Sequence, residues 1–357
     1  MYNVFIDYTN MKGATQQIQN RADVYLSNLG SDLRKELEPF ILKPSKSSFV
    51  KIINAIARDD LSFIQKCLLI RLVVNRFTIS DIEFDLSKFK LTKESIKYLE
   101  FLQHDLYLRG DPVGKIQWVG NLPENKGQKN TKLQIQDFPF KIYEVEKKAI
   151  KEMRTEERLY VDTPLHYENE KIEKLLKTNK VSLDETIIIG EERISSEEVD
   201  DLSEAVMNFD PVKSKFKFFG LSGSCIARRF LYRGNLSEKS LPLGIKELIK
   251  NNFHSKVIFF HSTLEQTFRD LFAAATYGGG ISGGSYIASE GRLRAWRTIQ
   301  SILKLKTNNL HHIIEKAKKL KWYAFTSESF FWVTVVGVIC VNEETNEITL
   351  IAATDGS

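Results

Sequence analysis

The chain has 357 residues, of which 42% are hydrophobic and 27% charged, a composition typical of a folded globular protein and not of a disordered or fibrous one. The formal net charge of +5 is small for this length and does not favour a nucleic-acid partner. The longest apolar run, Phe330–Val341, is too short to cross a bilayer, and the first residues lack the layout of a signal peptide. We therefore expect a cytoplasmic protein that does not associate with a membrane.

The cysteines and histidines show no pattern of a metal site or a disulfide. Cys67, Cys225 and Cys340 are far apart in the sequence and lie among apolar neighbours. The six histidines have no zinc-ligand spacing. We predict buried, unreactive thiols in a reducing compartment, and no metal or cofactor.

Three successive regions of the chain differ in character. Residues 1–108 predict a helical domain, either a bundle or a degenerate helical repeat, because apolar residues recur at helical spacing. Residues 109–210 predict a connecting region, with a hairpin formed by strands at 116–119 and 132–136 and then acidic helices. Residues 211–357 predict an α+β domain with a glycine-rich loop and a small, mainly antiparallel sheet. The predicted fold class is therefore α+β.

The densest local organisation lies between residues 257 and 305. Val257–Phe260 is a short run of β-branched and aromatic residues, which predicts a buried strand. Ser262 and Glu265 have the spacing of a capping box, which predicts the start of an amphipathic helix. His261 stands at the junction between the two, where the structural interpretation is a hydrogen-bonded histidine and the functional one is a general base.

A second helix of this stretch separates apolar and charged residues. Its core face is formed by apolar side chains at helical spacing: Leu293, Trp296, Ile299 and Leu303. Glu290, Arg294 and Arg297 project from the other side, which predicts a solvent-exposed face with an ion pair between Glu290 and Arg294. Arg292 differs because it lies inside the apolar arc, in the first turn of the helix.

An inward-pointing arginine needs a partner, since an unpaired buried guanidinium costs several kcal/mol. The structural interpretation of Arg292 is a buried salt bridge to a carboxylate such as Asp355. The functional interpretation is that Arg292 holds an anion at the mouth of the neighbouring glycine loop.

The loop between the two helices, Gly278–Ser285, contains five glycines. Its spacing matches the dinucleotide fingerprint, but that fingerprint requires a preceding strand and here a helix precedes. The Walker pattern also fails, because Ser285 stands in place of the required lysine. Loop N–H groups beside a helix N-terminus suit an anion, whereas the structural alternative is a sharp chain reversal. The predicted anion-binding residues are Gly279, Gly280, Gly283, Gly284, Ser285 and Arg292.

The sequence leaves open whether the protein is an enzyme. As an enzyme it would be a hydrolase or transferase acting on an anionic substrate at the Gly278–Ser285 loop. His261 would be the catalytic base, Arg292 would hold the anion, and Asp355 would orient one of these two side chains. This hypothesis requires the three side chains to meet at one solvent-accessible pocket.

The C-terminal region resembles an uncharacterised bacterial family known as a domain of unknown function. The resemblance rests on three runs: Gly291-Arg-Leu-x-Ala-Trp-Arg297, Trp322-x-x-Phe325 and Leu350-Ile-Ala-Ala-Thr-Asp355. It covers about residues 257–355 and implies no activity, cofactor or catalytic residue.

Because no catalytic motif is present, the main hypothesis is a protein-binding or regulatory module whose partner is another protein. The enzyme described above is the first alternative. The second is nucleic-acid binding through the basic segment 213–233, where lysine and arginine alternate with aromatic residues. At Lys215–Phe219 a half-buried strand accounts for the same alternation.

Overall fold

The computed structural model shows an α+β chain, as predicted, with N-terminal helices followed by an antiparallel sheet and further helices. Two compact units are present: Met1–Gln103 with Asp111–Pro123, and His104–Gly110 with Glu124–Ser357. The domain boundary predicted near residue 210 falls outside the described residues. The structure describes residues 26, 29–83, 93–115, 131–155, 188–207, 222–233, 257–277, 287–327 and 334–356, some element ends by their backbone alone.

The first unit is helical in its described part. Its helices are α1 (Ser31–Leu42), α2 (Lys46–Ile56), α3 (Phe63–Arg76), α4 (Ile79–Ile82) and α5 (Lys93–Arg109), with residues 104–109 of α5 assigned to the second unit. Helix α3 begins at a capping box in which Ser62 and Gln65 satisfy each other's backbone N–H groups. It is buried on nearly all sides, from Lys66 to Val74, which is the expected property of a helix packed between others.

The second unit contains a six-stranded sheet in which all pairings between described strands are antiparallel. Its strands are β1 (Ile188–Glu192), β2 (Ser222–Arg233), β3 (Val257–Ser262), β4 (Lys321–Ser327), β5 (Thr334–Asn342) and β6 (Glu347–Gly356). In space they follow the order β1-β2-β6-β5-β4-β3. The central strand β5 is buried on both faces, with Ile339 and Cys340 both inaccessible, which is typical of a strand with a continuous apolar sequence.

The helices of the second unit pack mainly against one another and against the sheet. They are α6 (Lys147–Thr155), α7 (Ser196–Leu202), α8 (Leu264–Tyr277), α9 (Ala288–Ile302) and α10 (Leu310–Ala317). Helix α8 is capped one residue later than predicted, since the Thr263 hydroxyl accepts the N–H of Gln266 at 3.1 Å, while Ser262 is the last residue of β3. None of the helices in the described ranges is both long and apolar enough to cross a membrane.

The strand predicted for residues 132–136 is wrong. The segment 131–146 is irregular, with 3₁₀ turns at Ile135–Asp137 and Glu144–Glu146. Leu133 does point inward, but its backbone is paired with side chains of α9: its N–H donates to Gln300 and its carbonyl accepts from Arg297. Side chains of a helix thus replace a neighbouring strand as hydrogen-bond partners. The companion strand predicted for 116–119 lies outside the described residues.

Helix α9 is buried around its whole circumference in its first turns, so the predicted solvent-exposed face is wrong. The predicted ion pair is present, with Arg294 Nε 2.8 Å from Glu290 Oε1, but the two residues are only 4% and 8% exposed. Arg297 likewise donates to the Leu133 carbonyl and to Glu204. The polar face of α9 therefore binds other parts of the chain where water was expected.

Candidate ligand-binding groove

Arg292 forms a buried salt bridge at the first turn of α9. Its side chain is 1% exposed, and its guanidinium carbon lies 4.9 Å from the centre of the Phe138 ring. Nε donates to Glu146 Oε1 at 2.7 Å, and Nη2 donates to Glu146 Oε2 and to the Lys141 carbonyl at 2.8 Å. The indole N–H of Trp296 donates to the same Glu146 carboxylate at 2.7 Å. The buried salt bridge predicted for Arg292 is therefore present, and its described partner is Glu146, where the sequence had suggested a carboxylate such as Asp355.

The first turn of α9 also binds a carboxylate from another part of the same chain. The N–H of Ser289 donates to Asp105 Oδ1 at 2.7 Å, and a carboxylate is stabilised there by the helix dipole. The two positive features that the sequence offered to a substrate anion, Arg292 and this helix N-terminus, are thus engaged by Glu146 and Asp105. The five loop residues from Gly279 to Ser285 lie outside the described residues. Asp355 is placed in β6 by its backbone alone, paired with Gly223 and Thr334.

Two polar atoms near this cluster are buried without a hydrogen-bond partner among the described residues: Arg292 Nη1 and His104 Nδ1. The His104 ring stacks on Phe140, with the ring centres 4.6 Å apart. Burial, and secondly the positive charge of Arg292, lower the pKa of His104 to about 3 from an ordinary value of 6.5. His104 is therefore neutral in the folded protein at any physiological pH.

This neutral histidine should make stability depend on pH. In the unfolded chain His104 takes up a proton below about pH 6.5, whereas in the folded chain it does so only near 3, so protons favour the unfolded state in between. The contribution of the neutral His104 to the free energy of unfolding is fully present above pH 6.5. As the pH decreases below this value, the free energy of unfolding falls by up to about 1.4 kcal/mol per pH unit. Urea unfolding of the wild type and His104→Phe between pH 7 and about pH 5, where carboxyl groups stay ionised, measures this slope. An equal slope in both proteins would contradict it.

His261 lies at an accessible place and not in the core. It is exposed at the end of β3, and its ring centre is 5.0 Å from that of Tyr323 on β4. It lines a groove of about 530 Å³, here called the His261 groove. The described lining residues are Val145, His261, Ser262, Thr263, Leu264, Glu265, Lys318, Leu320, Lys321, Trp322 and Tyr323. Arg292 is not among them, so the structure does not bring Arg292 and His261 together.

The charges of the His261 groove come from three elements. Lys318 follows α10, Lys321 begins β4, and both stand near the N-terminal turn of α8. Lys318 Nζ is 2.8 Å from Glu315, and Lys321 Nζ is 2.6 Å from Glu343, in pairs about half exposed. The hydrogen bond that Lys321 donates to the Glu343 carboxylate raises the pKa of Lys321. Pairs as exposed as these contribute little to stability and leave the ammonium groups open to another anion.

Sequence analysis missed the two lysines of this groove. Residues 318–323 and 261–265 are distant in the chain, and the antiparallel register of β3 and β4 brings them together, with His261 opposite Tyr323 and Ser262 opposite Trp322. The available signal was the small, mainly antiparallel sheet predicted for residues 211–357, which does not specify which strands are neighbours.

In the described part of the basic segment 213–233, which was one candidate nucleic-acid surface, the arginines differ in their exposure to solvent. Arg228 and Arg233 of β2 are exposed, but Arg229 is 1% exposed. Arg229 pairs with Glu198 at 2.8 Å and donates to the carbonyls of Ser301 and Ile302 at the end of α9.

Within the described ranges, no group of three or more potential ligand residues is arranged to hold a metal ion.

A family model described as a family of unknown function, DUF6183, matches residues 86–357, and the chain belongs to this family. The matched range begins before α5, so it includes many residues N-terminal to the stretch of about 257–355 that carries the resemblance. No curated protein and no solved structure matches the chain.

Proposed function

We propose that this DUF6183 protein is a binding module, and that its His261 groove holds an acidic segment of a partner protein. The observation that supports the proposal is that Lys318 and Lys321 line the same groove as the N-terminal turn of α8. Two ammonium groups and the positive end of a helix dipole, all in the lining of one groove, attract a carboxylate. The Glu265 carboxylate, also in the lining, offsets part of this charge.

The apolar part of the groove fits a peptide that carries an apolar residue beside its acid. Val145, Leu264, Leu320 and Trp322 supply this part, and all but Leu320 are buried or nearly so. An apolar side chain placed there adds about 25 cal/mol for each Å² of surface removed from water. The acidic neighbour would then meet Lys318 and Lys321.

A peptide suits this groove better than a small substrate does. Sites for small molecules enclose roughly 70–90% of the ligand surface, whereas His261, Glu265, Lys318 and Lys321 are all exposed at the rim. The enzyme hypothesis also lacks its anion-holding residue at this place, since Arg292 is paired with Glu146. Binding of an extended segment is compatible with a rim that stays wet.

Charge reversal tests the proposal. The probe is a pool of fluorescein-labelled peptides with a central Asp or Glu next to Leu or Phe, and the comparison pool has Asn or Gln at the same position. We expect the wild type to bind the acidic pool at least tenfold more tightly in fluorescence polarisation. Lys318→Glu with Lys321→Glu should abolish this preference, because both cations become anions.

The control is Lys316→Glu with Lys319→Glu, which changes the net charge equally at the same helix end but outside the groove. We expect this variant to keep binding within twofold of the wild type. Equal binding of the two pools, or equal loss in both variants, would overturn the proposal. So would displacement of the peptides by low millimolar inorganic phosphate, which would indicate a small-molecule site.

A further inference from the structure

Two buried nitrogen atoms of the second unit, Arg292 Nη1 and His104 Nδ1, have no hydrogen-bond partner among the described residues. The Arg292 side chain is 1% exposed and His104 is 2% exposed, so bulk water does not reach them freely. A buried polar group that loses its water without gaining another partner destabilises the fold, and a charged donor does so most. The two nitrogens therefore need a partner that the described side chains do not supply.

Both side chains contact the same short segment of the chain. The Phe140 ring stacks on the His104 ring, with the ring centres 4.6 Å apart, and the Lys141 carbonyl accepts from Arg292 Nη2 at 2.8 Å. Asp105, the next residue of α5, accepts an N–H from the first turn of α9. The positive charge of Arg292 also contributes to the low pKa of His104, which requires the two side chains to be close. The two nitrogens thus border one buried region.

The charges around this region favour a neutral partner over an ion. Arg292 is balanced by Glu146, whose two carboxylate oxygens accept from it at 2.7 and 2.8 Å. The Asp105 carboxylate is held at the N-terminal turn of α9. The other charged groups of that turn and of segment 138–146 have described partners: Glu290 pairs with Arg294, Glu144 pairs with Lys147, and Lys141 lies over the Tyr143 ring. A buried anion would therefore meet Glu146 and a buried cation would meet Arg292, each without compensation.

We propose that one ordered internal water molecule bridges Arg292 and His104. Nη1 donates to the water oxygen, because a guanidinium has no acceptor, and the water donates to Nδ1 of the neutral imidazole. The hydrogen of the imidazole is then on Nε2. The water joins the end of α5 to the first turn of α9, and it contacts no lining residue of the His261 groove.

A crystal structure of the whole chain is the direct test. We expect a peak of density within about 3.2 Å of both nitrogens, the usual limit of such a hydrogen bond. Crystals soaked in sodium bromide distinguish a halide from water, because bromide scatters anomalously at its absorption edge. The absence of density, density that reaches only one of the nitrogens, or an anomalous bromide peak would each overturn the proposal.

The tautomer of His104 gives a second measurement, in solution near neutral pH. Two-bond nitrogen–hydrogen correlation spectra of the protein with labelled histidine show which ring nitrogen carries a hydrogen. The signals of His104 are those that disappear in His104→Phe. We expect the hydrogen on Nε2. A hydrogen on Nδ1 would contradict the proposal, because Nδ1 could not then accept from the water.

His104→Phe also removes the acceptor while keeping an aromatic ring beneath Phe140. A buried water needs at least two polar partners, so we expect it to be lost. Oxygen-17 relaxation dispersion, which counts long-lived internal waters, should find one fewer than in the wild type. The control is His311→Phe, the same replacement at an exposed histidine that stacks on Tyr143, and it should leave the count unchanged. An unchanged count in His104→Phe, or an equal loss in both variants, would refute the bridge. The wild-type density decides the question even if His104→Phe does not fold.

Discussion

Replacing Glu146 with glutamine is expected to lower the free energy of unfolding by about 3–5 kcal/mol, the usual cost of breaking a buried ion pair from one side. The isosteric amide keeps an oxygen that can accept from Trp296, so packing is preserved. It removes the charge that balances Arg292, whose side chain is 1% exposed. It also turns amide hydrogens toward guanidinium hydrogens. Urea unfolding, followed by the tryptophan fluorescence of the chain, to which buried Trp296 contributes, measures the loss.

The double variant Glu146→Gln with Arg292→Met separates charge from shape. With both charges removed, no ion is left unpaired in the core, and we expect at least half of the lost stability to return. Trp296 keeps its acceptor, while the Lys141 carbonyl loses the donor that Arg292 Nη2 provides. The control is Glu315→Gln, which removes an exposed partner of Lys318 and should leave the urea midpoint unchanged. A double variant as unstable as the single one would show that the charge imbalance is not the cause.

The cluster around Glu146 also shows where sequence reasoning reaches its limit. Helical geometry was sufficient to turn Arg292 inward and to predict that it needs a carboxylate. It could not supply the identity of that carboxylate, because Glu146 is 146 residues away on a 3₁₀ turn without any periodic signal. The same limit applies to the His261 groove, whose lysines are brought to His261 by strand register.

The strands that could be predicted are those whose burial is recorded in their composition. Strands β4, β5 and β6 are apolar or alternate clearly, and the sequence predicts them at 322–326, 331–341 and 347–353, close to their observed bounds. Strand β2 was not recognised because Arg228 and Arg229 follow each other in it. One of them points to solvent and the other into the core, where Glu198 and two carbonyls receive it. An arginine with tertiary partners is indistinguishable in the sequence from a solvated one.

The strand predicted at 132–136, within the irregular segment 131–146, was wrong for a related reason. Its alternating Leu133 and Ile135 are both buried, as a strand would have them. Whether such a segment forms a strand or an irregular chain depends on the hydrogen-bond partners of its backbone. Here the partners are polar side chains of α9, more than 160 residues later in the sequence. Periodicity specifies which side chains are buried, but it does not specify what the main chain bonds to.

The crossing of α8 and α9 yields the other large effect that we expect. At Gly291 the helices approach so closely that an added Cβ would stand 1.8 Å from Thr276 Oγ1 and 3.3 Å from Thr276 Cα. Gly291→Ala must therefore push the helices apart or force the buried Thr276 side chain to another rotamer, and we expect a loss of about 2–3 kcal/mol in unfolding free energy. This exceeds the gain of up to about 1 kcal/mol from replacing a glycine inside a helix.

Thr276 supplies the matched rescue for this variant. Its hydroxyl is buried and has no hydrogen-bond partner among the described residues, so Thr276→Ala alone should change stability little. In the double variant the closest obstacle is gone, the next being Thr276 Cβ at 3.0 Å, and at least half of the loss should be recovered. Gly190→Ala, where an added Cβ meets nothing within 4 Å, is the control and should be neutral. If Gly291→Ala unfolds at the urea concentration of the wild type, close packing at this crossing does not limit stability.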